Sequence, residues 1–400
     1  MTIRTRQSAL SHSTDAPVSV VKVGILEEED IMCHVKEAVN NVGGMRSVVH
    51  NGDLVLIKPN LVAPRLSSTG TTTDLAITRE VINEVKDAGG NPIIGESPAR
   101  REFDPETVFR VIGIREFAKK AGVKFIDLEK EERVATKVPG GVIFKEIKLP
   151  RVVVESDVLV AIPKMKMHCW TTVTLAMKNL WGLIPMVERT RGHFFGLDQG
   201  IVDVNKVVKQ DLIVVDGIVG MDGDQAPSRG RPVELGALVA GKDAVAVDLT
   251  CCNMMGVDPD NVKHLKIAIQ QIGRPEAIQI IGEIDDLKRP FDIPRVGLSR
   301  KLFWQNIYRI DHVLTKVVGR PVSIFPFALV MVGTMPTVDE ARCDACGVCR
   351  NVCPTNAIDV KGVAKINRSK CAKCVCLQCI EACPNDAIEF VTPRWVRWIH

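Results

Sequence analysis

The stretch Asp157-Val-Leu-Val-Ala-Ile-Pro-Lys-Met-Lys-Met-His168 decides the fold. Its first half is a short apolar run closed by a proline, the pattern of a buried strand. Its second half sets Lys164, Lys166 and His168 at alternate positions, so that in extended backbone the three polar groups share one face. Comparable β-branched runs recur at 21–26, 53–57, 91–95, 123–127, 211–215 and 278–281. Stretches with helical spacing lie between them at 29–41, 74–88, 104–121, 171–180, 243–255 and 260–272. Several begin with an Asp or Thr placed to cap the first turn. Such alternation predicts an α/β fold: a mostly parallel sheet with helices on both faces.

Open parallel sheets bind ligands beyond the carboxyl ends of their strands. Those positions here hold Lys58, Pro59 and Asn60, then Glu96 and Ser97, then Pro163, Lys164, Lys166 and His168, then Asp216. Lys178, Asn179, Arg189, Arg191 and His193 add polar groups from the following segment. Cations and amides in one sector predict a site for a small anion. Lys58, Asn60, Lys166, Lys178, Asn179, Arg189 and Asp216 are its expected binding residues. Lys164, His168 and His193 are the expected catalytic ones, with either histidine transferring protons near its unperturbed pKa range. Asp216 also opens a glycine-rich stretch through Asp222 to Asp224, expected to be a loop; turn chemistry explains half of it, and a divalent cation is the alternative. Neither a G-x-G-x-x-G fingerprint nor a P-loop occurs, so nucleotide binding is unsupported. Cys251 and Cys252 sit in an apolar helical stretch and read as inert buried thiols, whereas Cys169 is the core thiol to test as a nucleophile.

The length of 400 residues suits two or three domains, and 46% apolar with 25% charged residues suits a globular chain. A net charge of +4 gives no nucleic-acid footprint. The longest apolar run, Ser323 to Gly333, is broken by Pro326 and falls short of the roughly 20 residues that span a bilayer. Residues 1–19, rich in Ser and Thr without a signal-peptide core, read as a disordered tail, and the location expected is cytoplasmic. The α/β domain is expected over 20–282. Residues 283–340 read as a linker plus an amphipathic docking helix, Leu302 to Val318. The final domain, 341–400, ends in Arg394, Trp395, Arg397 and Trp398, an amphipathic tail suited to weak peripheral contact with a partner or lipid surface.

Nine of the 13 cysteines lie in the last 60 residues. Clustered thiols in a chain without a secretory signal indicate metal, not disulfides. Cys343, Cys346, Cys349 and Cys353, followed by Pro354, reproduce the C-x2-C-x2-C-x3-C-P run of bacterial ferredoxins. The repeat of Cys353-Pro-Thr-Asn-Ala-Ile358 as Cys383-Pro-Asn-Asp-Ala-Ile388 implies two halves and two [4Fe-4S] clusters. Cluster one would take Cys343, Cys346, Cys349 and Cys383. Cluster two would take Cys353, Cys371, Cys374 and Cys379, with Cys376 as the alternative ligand.

The ordered motifs 157–168, Thr174-Leu-Ala-Met-Lys-Asn-Leu-Trp-Gly182, Asp216-Gly-Ile-Val-Gly-Met-Asp-Gly223 and Gly241-Lys-Asp-Ala-Val-Ala-Val-Asp248 resemble the domain of unknown function three-six-two family. Its members often carry a C-terminal two-cluster ferredoxin module, which implies an α/β iron-sulfur protein and low-potential one-electron transfer. The leading expectation is an oxidoreductase that passes electrons from an external donor, such as a ferredoxin, to a small anionic substrate at the strand ends. The alternatives are an electron carrier or cluster-donating accessory protein that recognises a partner enzyme, and a non-redox enzyme with structural clusters.

Overall fold

A computed structural model describes residues 15–23, 27–98, 105–223 (except 187, 190, 191 and 193–195), 230–294, 335–372 and 378–391, together with 306, 309, 310, 313, 314 and 317. Among the described residues twelve strands form the larger part: β1 (Asp15–Lys22), β2 (Leu54–Pro59), β3 (Asn91–Glu96), β4 (Lys124–Asp127), β5 (Arg133–Lys137), β6 (Glu146–Pro150), β7 (Val158–Ile162), β8 (Lys164–His168), β9 (Thr172–Thr174), β10 (Leu212–Asp222), β11 (Arg231–Gly241) and β12 (Ala277–Ile281). Ten of them build one sheet in the order β12-β1-β11-β10-β7-β2-β3-β4, with β8 joined to β10 and β9 to β8. The run β10-β7-β2-β3-β4 is parallel throughout. β11 runs antiparallel to both neighbours.

Both faces of the central strands β2, β7 and β10 are dry, which is why these strands read as unbroken apolar runs. Val55 and Ile57 enter one core with the helices Glu28–Asn41, Leu75–Asp87 and Pro105–Ile112. Leu56 enters the opposite core with the helices Leu197–Asn205, Ala244–Met254 and Lys263–Gln271. Asp74 and Asp243 accept N–H bonds from Ala76 and Ala246, capping their helices as the sequence predicts.

Several expectations need correction. Residues 15–19, assigned to the tail, belong to β1, whose Ser19 is buried between β11 and β12. The glycine-rich stretch from Asp216 to Asp222 is strand, not loop. Its glycines serve a bulge between Gly217 and Val219 and the close approach of Gly220 to Phe291 and to the Met165 carbonyl. The helix expected over 104–121 breaks at Gly113, whose φ is +78°. The one expected over 171–180 is β9 followed by the four-residue turn Ala176–Asn179. Strand β11 and the β5–β6 hairpin escaped the sequence reading because their apolar residues are few or interrupted by Gly and charge.

The cysteine module pairs β13 (Met335–Val338) with β16 (Ile388–Val391) and β14 (Ile358–Lys361) with β15 (Val363–Ile366). Of the expected docking helix, Asn306, Arg309, Ile310, Val313, Leu314 and Val317 are described and helical. The tail with Arg394, Trp395, Arg397 and Trp398 lies outside the described residues. Among the described residues no helix is long and apolar enough to cross a membrane.

Candidate functional site

The strand-end residues converge, and the loop from Asn60 to Asp74 organises them. Lys58, at the end of β2, ion-pairs with Glu96, at the end of β3, at 2.9 Å, and also reaches Asn179 Oδ1 at 3.3 Å. Glu96 accepts N–H bonds from Leu61 and Ser97 as well. Lys166 donates to Asn60 Oδ1 at 3.0 Å and to the Thr71 carbonyl at 2.5 Å. Lys164 ion-pairs with Asp216 at 2.7 Å, and the same carboxylate oxygen accepts the Asp74 N–H at 2.8 Å. Thr73 closes the network, its hydroxyl donating to the Ile162 carbonyl and accepting from the Asn60 N–H.

All six of Lys58, Asn60, Lys164, Lys166, Asn179 and Asp216 are buried. Burial pushes the Lys58 pKa down, with Glu96 opposing it, and pushes the Asp216 pKa up, with Lys164 opposing it. The loop lies close against the sheet at Gly70, where φ is +73° and a Cβ would stand 2.1 Å from the Gly220 carbonyl oxygen. Glycine is required there. The Thr-Gly-Thr-Thr-Thr-Asp run at 69–74, hydroxyl-rich between a strand and a helix, was the sequence signal for this loop.

His168 ends β8, 7% exposed, and its Nδ1 accepts N–H bonds from Trp170 at 3.0 Å and Thr171 at 3.4 Å. An accepting Nδ1 places the neutral ring's hydrogen on Nε2. Lys178 is half-buried and lies near His264 rather than in the network above. Arg189 departs from its expected anion-binding role: buried, it donates to the carbonyls of Ile184, Pro98 and Gly182, each at 2.8 Å, and to the Ser97 hydroxyl. It ties three segments together. Arg191, His193 and Asp224 lie outside the described residues. Asp222 is bound by Arg231 at 2.9 Å and by the Asp292 N–H, while Asp216 is held by Lys164, so these two carboxylates serve separate ion pairs instead of one cation. Cys251 and Cys252 are buried, and burial pushes both thiols up, as expected of inert cysteines.

Asp248 is a residue whose role sequence reasoning missed. Fully buried, it accepts N–H bonds from Ala176 at 2.8 Å and Met177 at 3.2 Å, which holds the turn carrying Lys178 and Asn179. Desolvation raises its pKa from the ordinary 3.8 to about 7. The folded protein therefore holds this proton more tightly than the unfolded chain does. Stability from this group is greatest at and below pH ~4 and declines as pH rises towards 7. Asp248→Asn is expected to flatten that slope in thermal unfolding followed from pH 4 to 8.

In the cysteine module, Cys343, Cys346, Cys349 and Cys383 line one pocket with Ala364, Ala387 and Ile388. Backbone N–H groups point at the sulfurs: Ala364 to Cys343 at 3.4 Å, Ala387 to Cys383 at 3.2 Å, and Ala357 to Cys353 at 3.2 Å. Burial pushes the Cys349 thiol up to about 11, so a thiolate there needs the compensating positive charge that cluster iron supplies. Donor type, shared pocket and N–H bonds to sulfur fit a [4Fe-4S] cluster. The internal repeat extends to the backbone, because Asn356 and Asp386, at equivalent places, have φ of +47° and +48°. Cys371 and Cys379 are described; Cys374 and Cys376 are not.

Asp386 also meets the other domain. Arg65, 2% exposed and in the loop between Asn60 and Asp74, ion-pairs with it at 2.8 Å, and Arg110 donates to the Asn351 carbonyl at 2.7 Å. The loop that orders the strand-end site thus touches the turn after Cys383.

Residues 55–253 match the family model described as "Domain of unknown function (DUF362)", and residues 336–359 match that of a "4Fe-4S binding domain". The chain is 28% identical over 330 residues to a thylakoid-associated protein of Synechocystis, a match covering 77% of this chain and 98% of that one. It is 44% identical over 54 residues to ferredoxin-1 of Rhodobacter capsulatus, covering 12% of this chain and 83% of that protein. Among solved structures, the lactate racemase apoprotein of Thermoanaerobacterium thermosaccharolyticum aligns with a TM-score of 0.38 and 16% identity, covering 62% of this chain and 58% of that one.

Proposed function

We propose, on the premise that the chain joins a DUF362 domain to a 4Fe-4S binding domain and is an iron-sulfur protein, that it is an oxidoreductase acting on a small anionic substrate. Two [4Fe-4S] clusters, one on Cys343, Cys346, Cys349 and Cys383 and one on Cys353, Cys371, Cys374 and Cys379, would supply one-electron transfer from an external donor such as a ferredoxin. Lys164 and Lys166 orient the anion, and His168 moves a proton at Nε2. The observation that carries this reading is the Arg65–Asp386 ion pair, which ties the loop ordering the strand-end site to the turn beside a cluster ligand.

The test is anaerobic. Dithionite-reduced protein is mixed with candidate carboxylates and phosphates, and cluster reoxidation is followed by absorbance and EPR. His168→Ala is expected to slow reoxidation by about 10²- to 10⁴-fold. Arg65→Ala is expected to leave the EPR spectrum intact while slowing reoxidation by substrate. Unchanged rates in both variants would remove the proposal. A second reading, an electron carrier serving a partner enzyme, is favoured by the carboxylates already paired with Lys58 and Lys164, which reduce the charge left for an anion. One stable partner and no substrate-driven reoxidation would select it.

A further inference from the structure

Arg65 takes its counter-charge from the other domain. Its side chain is 2% exposed, and the Asp386 carboxylate accepts from Nη1 at 2.8 Å and from Nη2 at 3.4 Å. Nε, also buried, has no hydrogen-bond partner. Among the described residues Asp386 is the one side chain bonded to this guanidinium. A buried cation with a single partner depends on it, because removing the partner leaves the charge uncompensated.

The place of Asp386 is set in turn by Cys383. Two bonds close the turn that carries it: the Ala387 N–H donates to Cys383 Sγ at 3.2 Å, and the Asp386 N–H donates to the Cys383 carbonyl at 3.3 Å. Both end on Cys383, so the carboxylate follows the position of a proposed cluster ligand. The first half of the repeat closes the same way, with Ala357 N–H on Cys353 Sγ and Asn356 N–H on the Cys353 carbonyl, each at 3.2 Å. Asn356, however, is neutral and exposed. Of two like turns, the one beside Arg65 carries the carboxylate.

On its other side Arg65 is built into the loop that orders the strand ends. Its carbonyl accepts the Thr72 hydroxyl at 2.8 Å, and the nearby Thr71 carbonyl accepts from Lys166. The N–H groups of Leu61, Thr73 and Asp74 are bonded to Glu96, the Asn60 carbonyl and Asp216. Those three amides report whether the loop is in place.

We propose that Asp386 is a positioning residue for the strand-end site: with the Cys343, Cys346, Cys349 and Cys383 pocket filled, it holds Arg65, and through Arg65 the loop from Asn60 to Asp74. The inference rests on the reading of those cysteines as cluster ligands and of Lys166 as an anion-binding group. A module this small draws much of its order from metal, so an empty pocket frees the turn. Arg65 then loses its counter-charge and the loop opens. The site is therefore assembled only on protein whose cluster has been inserted.

Hydrogen exchange of residues 60–74 in the full chain, without substrate or turnover, is the test. Removing iron with a chelator is expected to speed exchange at Leu61, Thr73 and Asp74 at least about fivefold. Asp386→Asn, with iron content and EPR spectrum like the parent's, is expected to reproduce the faster exchange, and Asn356→Asp to leave it unchanged. Arg65→Met removes the buried charge together with its need for a partner, so in that variant iron removal should no longer alter exchange in the loop. Slow exchange that persists in loaded Asp386→Asn overturns the proposal, as does an iron effect in Arg65→Met equal to the parent's. Should Asp386→Asn fail to take up iron, the parent decides, and equal exchange with and without iron overturns the proposal. Calorimetry of the loaded parent with phosphate and carboxylates tests the anion site separately, so a failure there is distinct from a failure here.

Discussion

Protein carrying Cys383→Ala, purified without oxygen, is expected to hold about four iron atoms per chain where the parent holds about eight. Cys383 crosses from the second half of the repeat to line the pocket formed by Cys343, Cys346 and Cys349, and is the proposed fourth ligand there. Its removal takes away one of the four proposed ligands and the sulfur that accepts the Ala387 N–H. The module has little to fall back on. Among the described residues its buried apolar cluster holds Cys349, Ile358, Ala364, Cys379, Ile380, Cys383, Ala387 and Ile388, and three of those eight are cysteines. Domains this small depend on metal for much of their stability. Loss of cluster one should therefore also make the segment after residue 334 sensitive to protease. Iron and sulfide analysis, with EPR of the reduced protein, reads both cluster number and assignment. A parent with four irons would refute the two-cluster arrangement.

The second large effect concerns Lys164. Its ammonium and the Asp216 carboxylate are 1% and 0% exposed, so Lys164→Met leaves a buried carboxylate with no counter-charge. Breaking such a pair costs about 3–5 kcal/mol. Asp216 can escape part of that cost by taking up a proton, since burial already raises its pKa. In the variant that pKa rises further. The folded state then retains a proton that the unfolded chain releases, so the deficit is small in acid, grows as pH rises and levels off above the raised pKa. The double variant Lys164→Met, Asp216→Asn removes the buried charge but keeps an acceptor for only one of the Asp74 and Ile218 N–H groups, which bond different oxygens of Asp216, and should recover part of the loss. Urea unfolding at pH 5 and pH 8 measures both. Equal deficits at the two pH values would show that Asp216 stays charged.

Much of the fold was legible in the sequence because both faces of the parallel strands are dry. Val158 to Ile162 has no polar interruption, and Leu54 to Ile57 and Leu212 to Val215 read the same way. The strands that escaped are those whose signal belongs to something else. β10 continues through glycines that serve a bulge, and β11 pairs antiparallel beside it with charged residues at its start. The site was partly legible: strand-end position alone picked out Lys58, Asn60, Lys164, Lys166 and Asp216. It could not show that Glu96 and Asp216 neutralise two of the lysines, that Arg189 binds carbonyls, or that Asp248 anchors the turn bearing Asn179. Those are long-range pairings. Residues 38, 52, 91 and 72 positions apart meet in them, and no local pattern encodes such a meeting.

The place of β1 in the sheet has a consequence for how the chain is made. Among the described strands it is the earliest in the chain, yet its hydrogen-bonding neighbours are β11 and β12, which begin at Arg231 and Ala277. At about 5–20 residues per second, translation takes roughly 10–40 s to supply the first of them. Val18, Val20 and Val21, buried in the folded sheet, lack these partner strands for that time, and the β1–β12 pairing needs the chain through residue 281. The contact order this imposes makes completion of the larger domain slow.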